Sequence, residues 1–397
     1  EAREKDKTKP ESIFSLHGIP VLLNDNINYD GLATTAGSIA LNNNISQNAF
    51  VVDKLINEGA LILGKTNLSE WAYYFCNNCP SGYSAKGGQT LNPYARKKFD
   101  SGGSSSGSGA AISANFSSVS LGSETSGSIL SPSSANSIVG LKPTIGLVSR
   151  SGIVPISSTL DTSGPMTKNV IDNAIVLKAI SGYDPDDSKS VNKSNIDLES
   201  IINSNLKGKR FGVFKDYLSD SLYLNAINKI KKSGGTIIEF SPPKVDFSDF
   251  RKILDFDMKF DLPKYFKKNN ILFNSINDIV EFNSKDSLLR SPYGQGIFKS
   301  IVSDSTKLDE INSIKTRIKT EGKKYFDIAI EKYKLDAIIS INNYHAGYAA
   351  GAYYPCLTVP MGYDEVGKPF NLTFISPSFT ENKLLQIGYA FEKETNF

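Results

Sequence analysis

The chain has little of what many catalytic and metal-binding centres draw on: two histidines, three cysteines, three methionines and one tryptophan in 397 residues. Two histidines leave little room for a Ser-His-Asp machine, and neither His17 nor His345 has an evident carboxylate nearby in sequence to orient its imidazole. Both read as structural or pocket-lining. Cys76 and Cys79 have the spacing of a redox or half-zinc motif. Cys356 is remote, however, and no second pair completes the four ligands of a structural zinc. The pair reads as two thiols or a local disulfide in a loop near a pocket, and no metal site is expected. A net charge of +3 is too small to argue for nucleic acid, and the lysines between Glu321 and Lys334 are interspersed with acids as on a solvated surface. No apolar run is long enough to span a bilayer. Residues Glu1 to Glu11 are highly charged and lack the apolar segment of a secretory signal, which predicts no membrane association. The start at Glu rather than Met reads as processing or trimming, so the compartment is left open.

What is present is a globular composition, 40% apolar and 21% charged, in a chain long enough for a large core. Apolar periodicity predicts helices over Ala49–Asn57, from Asn67 through Phe75, Gly107–Asn115, from Ile129 onward, Val170–Ile180, Leu222–Lys232 and Asn382–Glu394. Short buried strands are predicted at Ala60–Gly64, Val119–Leu121, Arg210–Phe214, Thr236–Phe240, Asp336–Ile341, Cys356–Val359 and Asn371–Ile375. This alternation implies an α/β fold, a mixed sheet sandwiched between helices. Residues 190–335, rich in Lys, Asp, Asn, Ser and Phe, read mainly as helices with loops.

Two glycine–serine stretches carry the chemistry: Gly102-Gly103-Ser104-Ser105-Ser106-Gly107-Ser108 and Gly122-Ser123-Glu124-Thr125-Ser126-Gly127-Ser128-Ile129. Glycine admits positive φ and close backbone approach at an entropic cost that plain packing would avoid. A serine on such a turn can present its oxygen among several N–H donors, as acyl transfer requires of a nucleophile and an oxyanion hole. Apolar segments (Ala110–Phe116, Val119–Leu121, Ile138–Leu141) flank and separate the stretches, which argues against a flexible linker. A phosphate-loop pattern, Gly59-Ala60-Leu61-Ile62-Leu63-Gly64-Lys65-Thr66, is set aside because its middle residues form a buried strand rather than an open nest of amides.

These stretches resemble the amidase signature family of serine hydrolases, and the resemblance continues on both sides. It includes His17-Gly18-Ile19-Pro20-Val21, Gly64-Lys65-Thr66-Asn67, Gly140-Leu141-Lys142-Pro143-Thr144, Asp161-Thr162-Ser163-Gly164-Pro165-Met166 and Cys356-Leu357-Thr358-Val359-Pro360. Matching covers roughly residues 17–185 and 336–395. It implies one domain over 1–397, with a core formed by 12–185 and 336–397 and a variable substrate entrance at 190–335. It further implies Ser128 as nucleophile, Ser104 as the bridging serine after a cis peptide bond, and a neutral lysine as terminal base. Backbone N–H groups of Thr125, Ser126, Gly127 and Ser128 would form the oxyanion hole, with Ser105 also at the substrate. No cofactor is implied, and the partner would be a small-molecule or peptide amide. The oligomeric state is left open.

The sequence departs from this pattern where Gly18-Ile19-Pro20-Val21-Leu22-Leu23-Asn24-Asp25-Asn26 puts Asn24 at the lysine. An amide is not a usable base near neutral pH. Three readings follow: an introduced substitution in an otherwise active enzyme, a natural amide-binding protein without turnover, or a displaced base among Lys65, Lys86 and Lys142. Leu130 and Ser126 stand where many members carry Arg and Gly, which puts recognition of an amino-acid carboxylate in doubt. The nearest members are expected among bacterial peptide amidases, then the A-type subunit of glutamyl-tRNA amidotransferase. Tyr73, Tyr74, Phe75, Tyr83, Tyr344, Tyr348, Tyr353 and Tyr354 are candidates for an aromatic acyl pocket, or for ordinary packing.

Overall fold

In a computed structural model, which describes residues 2–5, 7, 10 and 12–395, the chain is built on one ten-stranded sheet. Residues 1, 6, 8, 9 and 11 of the charged opening stretch, and 396 and 397 at the other end, lie outside the described residues. The strands are β1 (Pro20–Asn24), β2 (Leu61–Thr66), β5 (Val119–Glu124), β6 (Val139–Lys142), β7 (Thr162–Thr167), β8 (Arg210–Phe214), β9 (Thr236–Phe240), β10 (Ala337–Ile341), β11 (Cys356–Tyr363) and β12 (Pro369–Ile375). A separate two-residue pair, β3 (Tyr83–Ser84) and β4 (Gly88–Gln89), forms a small hairpin. The order across the large sheet is β2-β1-β5-β7-β6-β11-β12-β10-β8-β9. Its two ends, β2-β1-β5 and β10-β8-β9, are parallel, and the centre is antiparallel.

Alternate strand residues enter different layers. Val21, Leu23, Leu121, Leu141, Leu357 and Phe374 share the largest core with helices Phe50–Asn57, Val170–Ile180, Ser221–Lys232 and Glu381–Thr395. Helices Ser106–Ser113 and Leu130–Ala135 lie against the central strands, and Leu308–Tyr333 and Ala346–Ala352 complete a further layer. The α/β sandwich is therefore as the strand–helix alternation implies. The phosphate-loop look-alike is strand: Gly64 and Lys65 lie inside β2. Among the described residues, no helix is long and apolar enough to cross a membrane.

One predicted element is different. No α-helix runs from Asn67 to Phe75. Instead Glu70–Tyr73 form a short turn in which Trp71, Ala72 and Tyr73 all have positive φ (51°, 55° and 70°). Asn67 does not cap it: its Nδ2 donates to the carbonyls of Gly82 and Gly88 at 3.2 and 3.0 Å and to Thr90 Oγ1 at 3.1 Å. Tertiary packing overrides the local preference. Trp71 and Phe75 press on Phe298, in a cluster with helices Phe250–Lys268, Ile276–Ser284 and Gly296–Ser303. Cys76 and Cys79 close a disulfide just beyond the turn, with Cα atoms 5.5 Å apart.

Glu70 enters this turn buried, with Oε2 accepting from the Ala85 N–H at 2.9 Å and Oε1 unpartnered among the described residues. Burial pushes its carboxyl up to about 8 from 4.5, with the Ala85 bond opposing. A folded-state value above the unfolded one means stability is full below pH 4.5 and is lost as pH rises toward about 8. Glu70→Gln keeps an oxygen for Ala85 but cannot ionise. The urea midpoint of the unaltered chain should therefore fall more steeply across that window than that of Glu70→Gln, which keeps other raised carboxyls such as Asp161; parallel profiles would refute the assignment.

Candidate functional site

The sheet sets the first candidate side chain. Asn24 ends β1, and β1 is flanked by β2 and β5, so this residue emerges beside the second serine stretch, which continues β5. It is fully buried. Its Nδ2 donates to Asn26 Oδ1 at 3.0 Å and Ser123 Oγ at 3.3 Å, and reaches Ser105 Oγ at 3.5 Å. Asn26 Nδ2 in turn donates to Ser123 Oγ at 2.8 Å. The orientation is consistent, because Asn26 offers Asn24 only its carbonyl oxygen. What is left over is Asn24 Oδ1, buried and without a donor among the described residues.

The two serine stretches meet through main chain. The Ser105 N–H donates to the Ser128 carbonyl at 3.1 Å, and the Ser69 N–H holds the Ser104 carbonyl at 2.9 Å. The peptide between Gly103 and Ser104 is cis. Gly102 approaches Pro132 so closely that a Cβ there would sit 2.5 Å from the Pro132 Cα, and with φ of 69° this position requires glycine. Ser104 is fully buried, and its Oγ has no hydrogen-bond partner among the described residues. Ser128 is half-buried.

Glu124, to which the sequence reading gave no role, organises the turn. Its Oε1 accepts the Gly127 N–H at 2.7 Å, and its Oε2 accepts those of Ile129 and Leu130 at 2.7 and 3.0 Å. Burial raises its carboxyl, opposed by Lys142 and these three N–H groups. The visible signal was an acid just before a helix start, where anions are favoured. Gly127 is therefore placed differently from the expected oxyanion hole: its N–H is committed to Glu124. Ser105 also differs from a substrate contact. It is fully buried, its Oγ donating to the Ser123 carbonyl and accepting the Ser123 N–H, both at 3.1 Å. The N–H groups of Thr125, Ser126 and Ser128 have no acceptor among the described residues.

A cavity of ≈ 350 Å³ reaches this region, lined by Asn26, Ala72, Ser123, Glu124, Thr125 and Asp161 near the turn. Ser104 and Ser128 do not line it. Asp161 accepts from Thr125 Oγ1 at 2.6 Å and from the Ile156 and Ser157 N–H groups at 2.8 Å each. Burial pushes its carboxyl up to about 6 against those bonds. The other charges in the wall are paired: Arg150 with Asp187, Lys264 with Asp261, and Lys268 with Asp186. None of the eight aromatic candidates lines this cavity. They pack instead, as Tyr348 does on Tyr325 (4.1 Å, 1°) and Tyr83 on Tyr293 (4.8 Å).

The remaining candidates, apart from Lys142 near Glu124, do not join this network. His17 Nε2 is 2.8 Å from the Lys5 carbonyl. His345 stacks on Phe214 at 3.9 Å and shares a hydrogen bond with Ser340, and burial lowers it to about 4. Lys65 pairs with Leu23 in the β1–β2 register while Thr66 pairs with Asn24, so Lys65 leaves the sheet on the other face. Its Nζ meets the Ile27 carbonyl, Thr34 Oγ1 and Asp25, and burial lowers it to about 8 against the pull of Asp25. Lys142 is fully buried and donates to the Pro143 carbonyl at 3.0 Å; Lys86 is exposed. Among the described residues no group of three or more His, Cys, Asp and Glu could hold a metal ion.

Comparison with known proteins identifies the family. The chain is 37% identical to a "probable amidase" of Arabidopsis thaliana, covering 99% of the chain and 80% of the relative. It is 34% identical to the A-type subunit of glutamyl-tRNA(Gln) amidotransferase from Caldanaerobacter subterraneus, covering all of the chain and 88% of that protein. The crystal structure of native peptide amidase from Stenotrophomonas maltophilia superposes with a TM-score of 0.91 at 34% identity, over 99% of this chain and 86% of that one. The model of the Amidase family matches residues 1–341, and with these likenesses the chain belongs to that family.

Proposed function

We propose that this chain binds carboxamides at the Ser128 turn and is built for carbon–nitrogen bond hydrolysis, with turnover held down by Asn24. The observation that carries the reading is Asn24 itself: buried beside both serine stretches, with one amide oxygen unsatisfied. In the full reaction Ser128 Oγ attacks the amide carbon and loses its proton to Ser104, which passes its own to a base. The oxyanion is received by the N–H groups of Ser126 and Ser128. Collapse of the tetrahedral adduct returns a proton to the departing ammonia or amine and leaves an ester on Ser128, which water then hydrolyses. Asn24 accepts no proton near neutral pH, so the relay stalls after Ser104. Lys65 and Lys142 are engaged elsewhere, which disfavours a displaced base.

The cavity wall supports a neutral substrate. Its cations are each matched to an aspartate, and Leu130 is buried where a carboxylate-binding Arg would stand. A peptide amide fits a wall that leaves no cation free to bind a carboxylate, as the name of the Stenotrophomonas relative suggests. The likeness to the A-type amidotransferase subunit favours a second reading, a chain that holds an amide for a partner. Ammonia release by the isolated chain separates the two.

Asn24→Lys should raise hydrolysis of an N-acetylated dipeptide amide by roughly 10²–10⁴-fold, the contribution of a general base. Adding Ser128→Ala to that variant should abolish the gain, measured as free acid by chromatography. Activity unchanged by Asn24→Lys dismisses the relay, and activity surviving Ser128→Ala dismisses the nucleophile. Glu124→Gln turns an amide NH₂ toward N–H donors on one side of the turn. It should destabilise the chain by about 1–3 kcal/mol per N–H left unpaired, seen in urea unfolding. A stability equal to that of the unaltered chain would show that Glu124 does not brace the turn.

A further inference from the structure

An asparagine ends two bonds earlier than a lysine would. Two buried oxygens here have no partner among the described residues: Asn24 Oδ1, and the Oγ of Ser104, whose chain neighbour Ser105 has its own Oγ 3.5 Å from Asn24 Nδ2. The first can only accept a hydrogen bond; the second carries a proton it can donate. A buried polar atom left unpaired costs about 1–3 kcal/mol, so a ligand that satisfies both is favoured. It must offer an N–H or O–H to Asn24 and a lone pair to Ser104. The neighbourhood also selects against charge. The hydrogen-bond partners of the Asn24 amide, Asn26, Ser105 and Ser123, are all neutral, so a cation buried there would be desolvated with no counter-charge among them. Access is short, since Asn26 and Ser123, both bonded to Asn24 Nδ2, line the ≈ 350 Å³ cavity.

We propose that Asn24 and Ser104 form a binding site for a small primary amine, ammonia or methylamine, taken up as the neutral base. The amine donates an N–H to Asn24 Oδ1 and accepts the Ser104 proton as Ser104 accepts that of Ser128. The resulting ammonium returns its proton through the same serines to the leaving nitrogen, so no proton is gained or lost over the cycle. The site rests on the hydrolytic reading above and deepens it, because the base missing from the chain is supplied from solution.

The test uses the intact chain with an N-acetylated dipeptide amide, following the carboxylic acid product by mass spectrometry. That readout separates hydrolysis from aminolysis, which would yield an N-methylamide. Methylamine should raise acid formation saturably, by about tenfold or more, part of what a general base supplies. The gain should grow between about pH 7 and pH 10 as the free-base fraction rises, an alkylamine having a pKa of about 10.4 like lysine. Trimethylamine, with a lone pair but no N–H and more bulk, should give no gain, and Asn24→Lys should hydrolyse without responding to methylamine. If Asn24→Lys is active while the unaltered chain ignores ammonia and methylamine at every pH, the amine site is overturned and the hydrolytic reading stands. Equal gains from trimethylamine would also overturn it, by showing base catalysis from bulk solution. An inert Asn24→Lys would instead remove the hydrolytic reading on which the site depends.

Discussion

Three N–H groups converging on one buried carboxylate hold this site together. Glu124 takes the N–H of Gly127 on one oxygen and those of Ile129 and Leu130 on the other, bracketing Ser128 from both sides. A carboxylate with three short donors is pinned, and so is the turn it accepts from. That fixes where helix Leu130–Ala135 starts, and Gly102 packs against Pro132 of the same helix. The cis-linked Ser104 is positioned from there. The arrangement has a consequence for electrostatics: the Gly127 N–H is consumed by the brace, leaving Thr125, Ser126 and Ser128 as the open donors of the turn.

Asn24 sits in a compact local network. Its amide is embedded in a closed set of hydrogen bonds with Asn26 and Ser123, and Ser123 is further tied to Ser105 through main chain. Within it Asn24 Oδ1 stays buried and unmatched, as does Ser104 Oγ in the first serine stretch.

Much of the fold was legible because buried strands and amphipathic helices have different periods. Val170–Ile180, Arg210–Phe214 and Thr236–Phe240 are found at the bounds that periodicity gives. Strands β1, β6 and β7 escaped notice, since Pro20, Asn24, Gly140, Gly164 and Pro165 break the usual strand signature and long-range pairing alone supplies the reason for them to extend. The segment after Asn67 misled for the opposite reason: locally helical residues are held left-handed by contacts with a distant helix pair. In the site, the serines were visible as glycine-rich turns. The role of Glu124 was not, because it depends on donors that only the folded turn aims at it. For the aromatic residues, pocket lining and ordinary packing were both open, and partners that sequence order does not bring near, Tyr325 for Tyr348 and Tyr293 for Tyr83, favour packing.

The left-handed turn at Trp71–Tyr73 has an optical consequence. Trp71 is the sole indole of the chain, buried, with Nε1 lacking an acceptor among the described residues and its ring 5.3 Å from that of Phe298. Its immediate neighbour Ala72 forms part of the cavity wall. Emission from a single fluorophore, unmixed with signal from any other tryptophan, is thus wired by one peptide bond to the chamber in which a guest molecule would sit. The protein carries an intrinsic gauge of occupancy that is independent of whether any bond is ever cleaved.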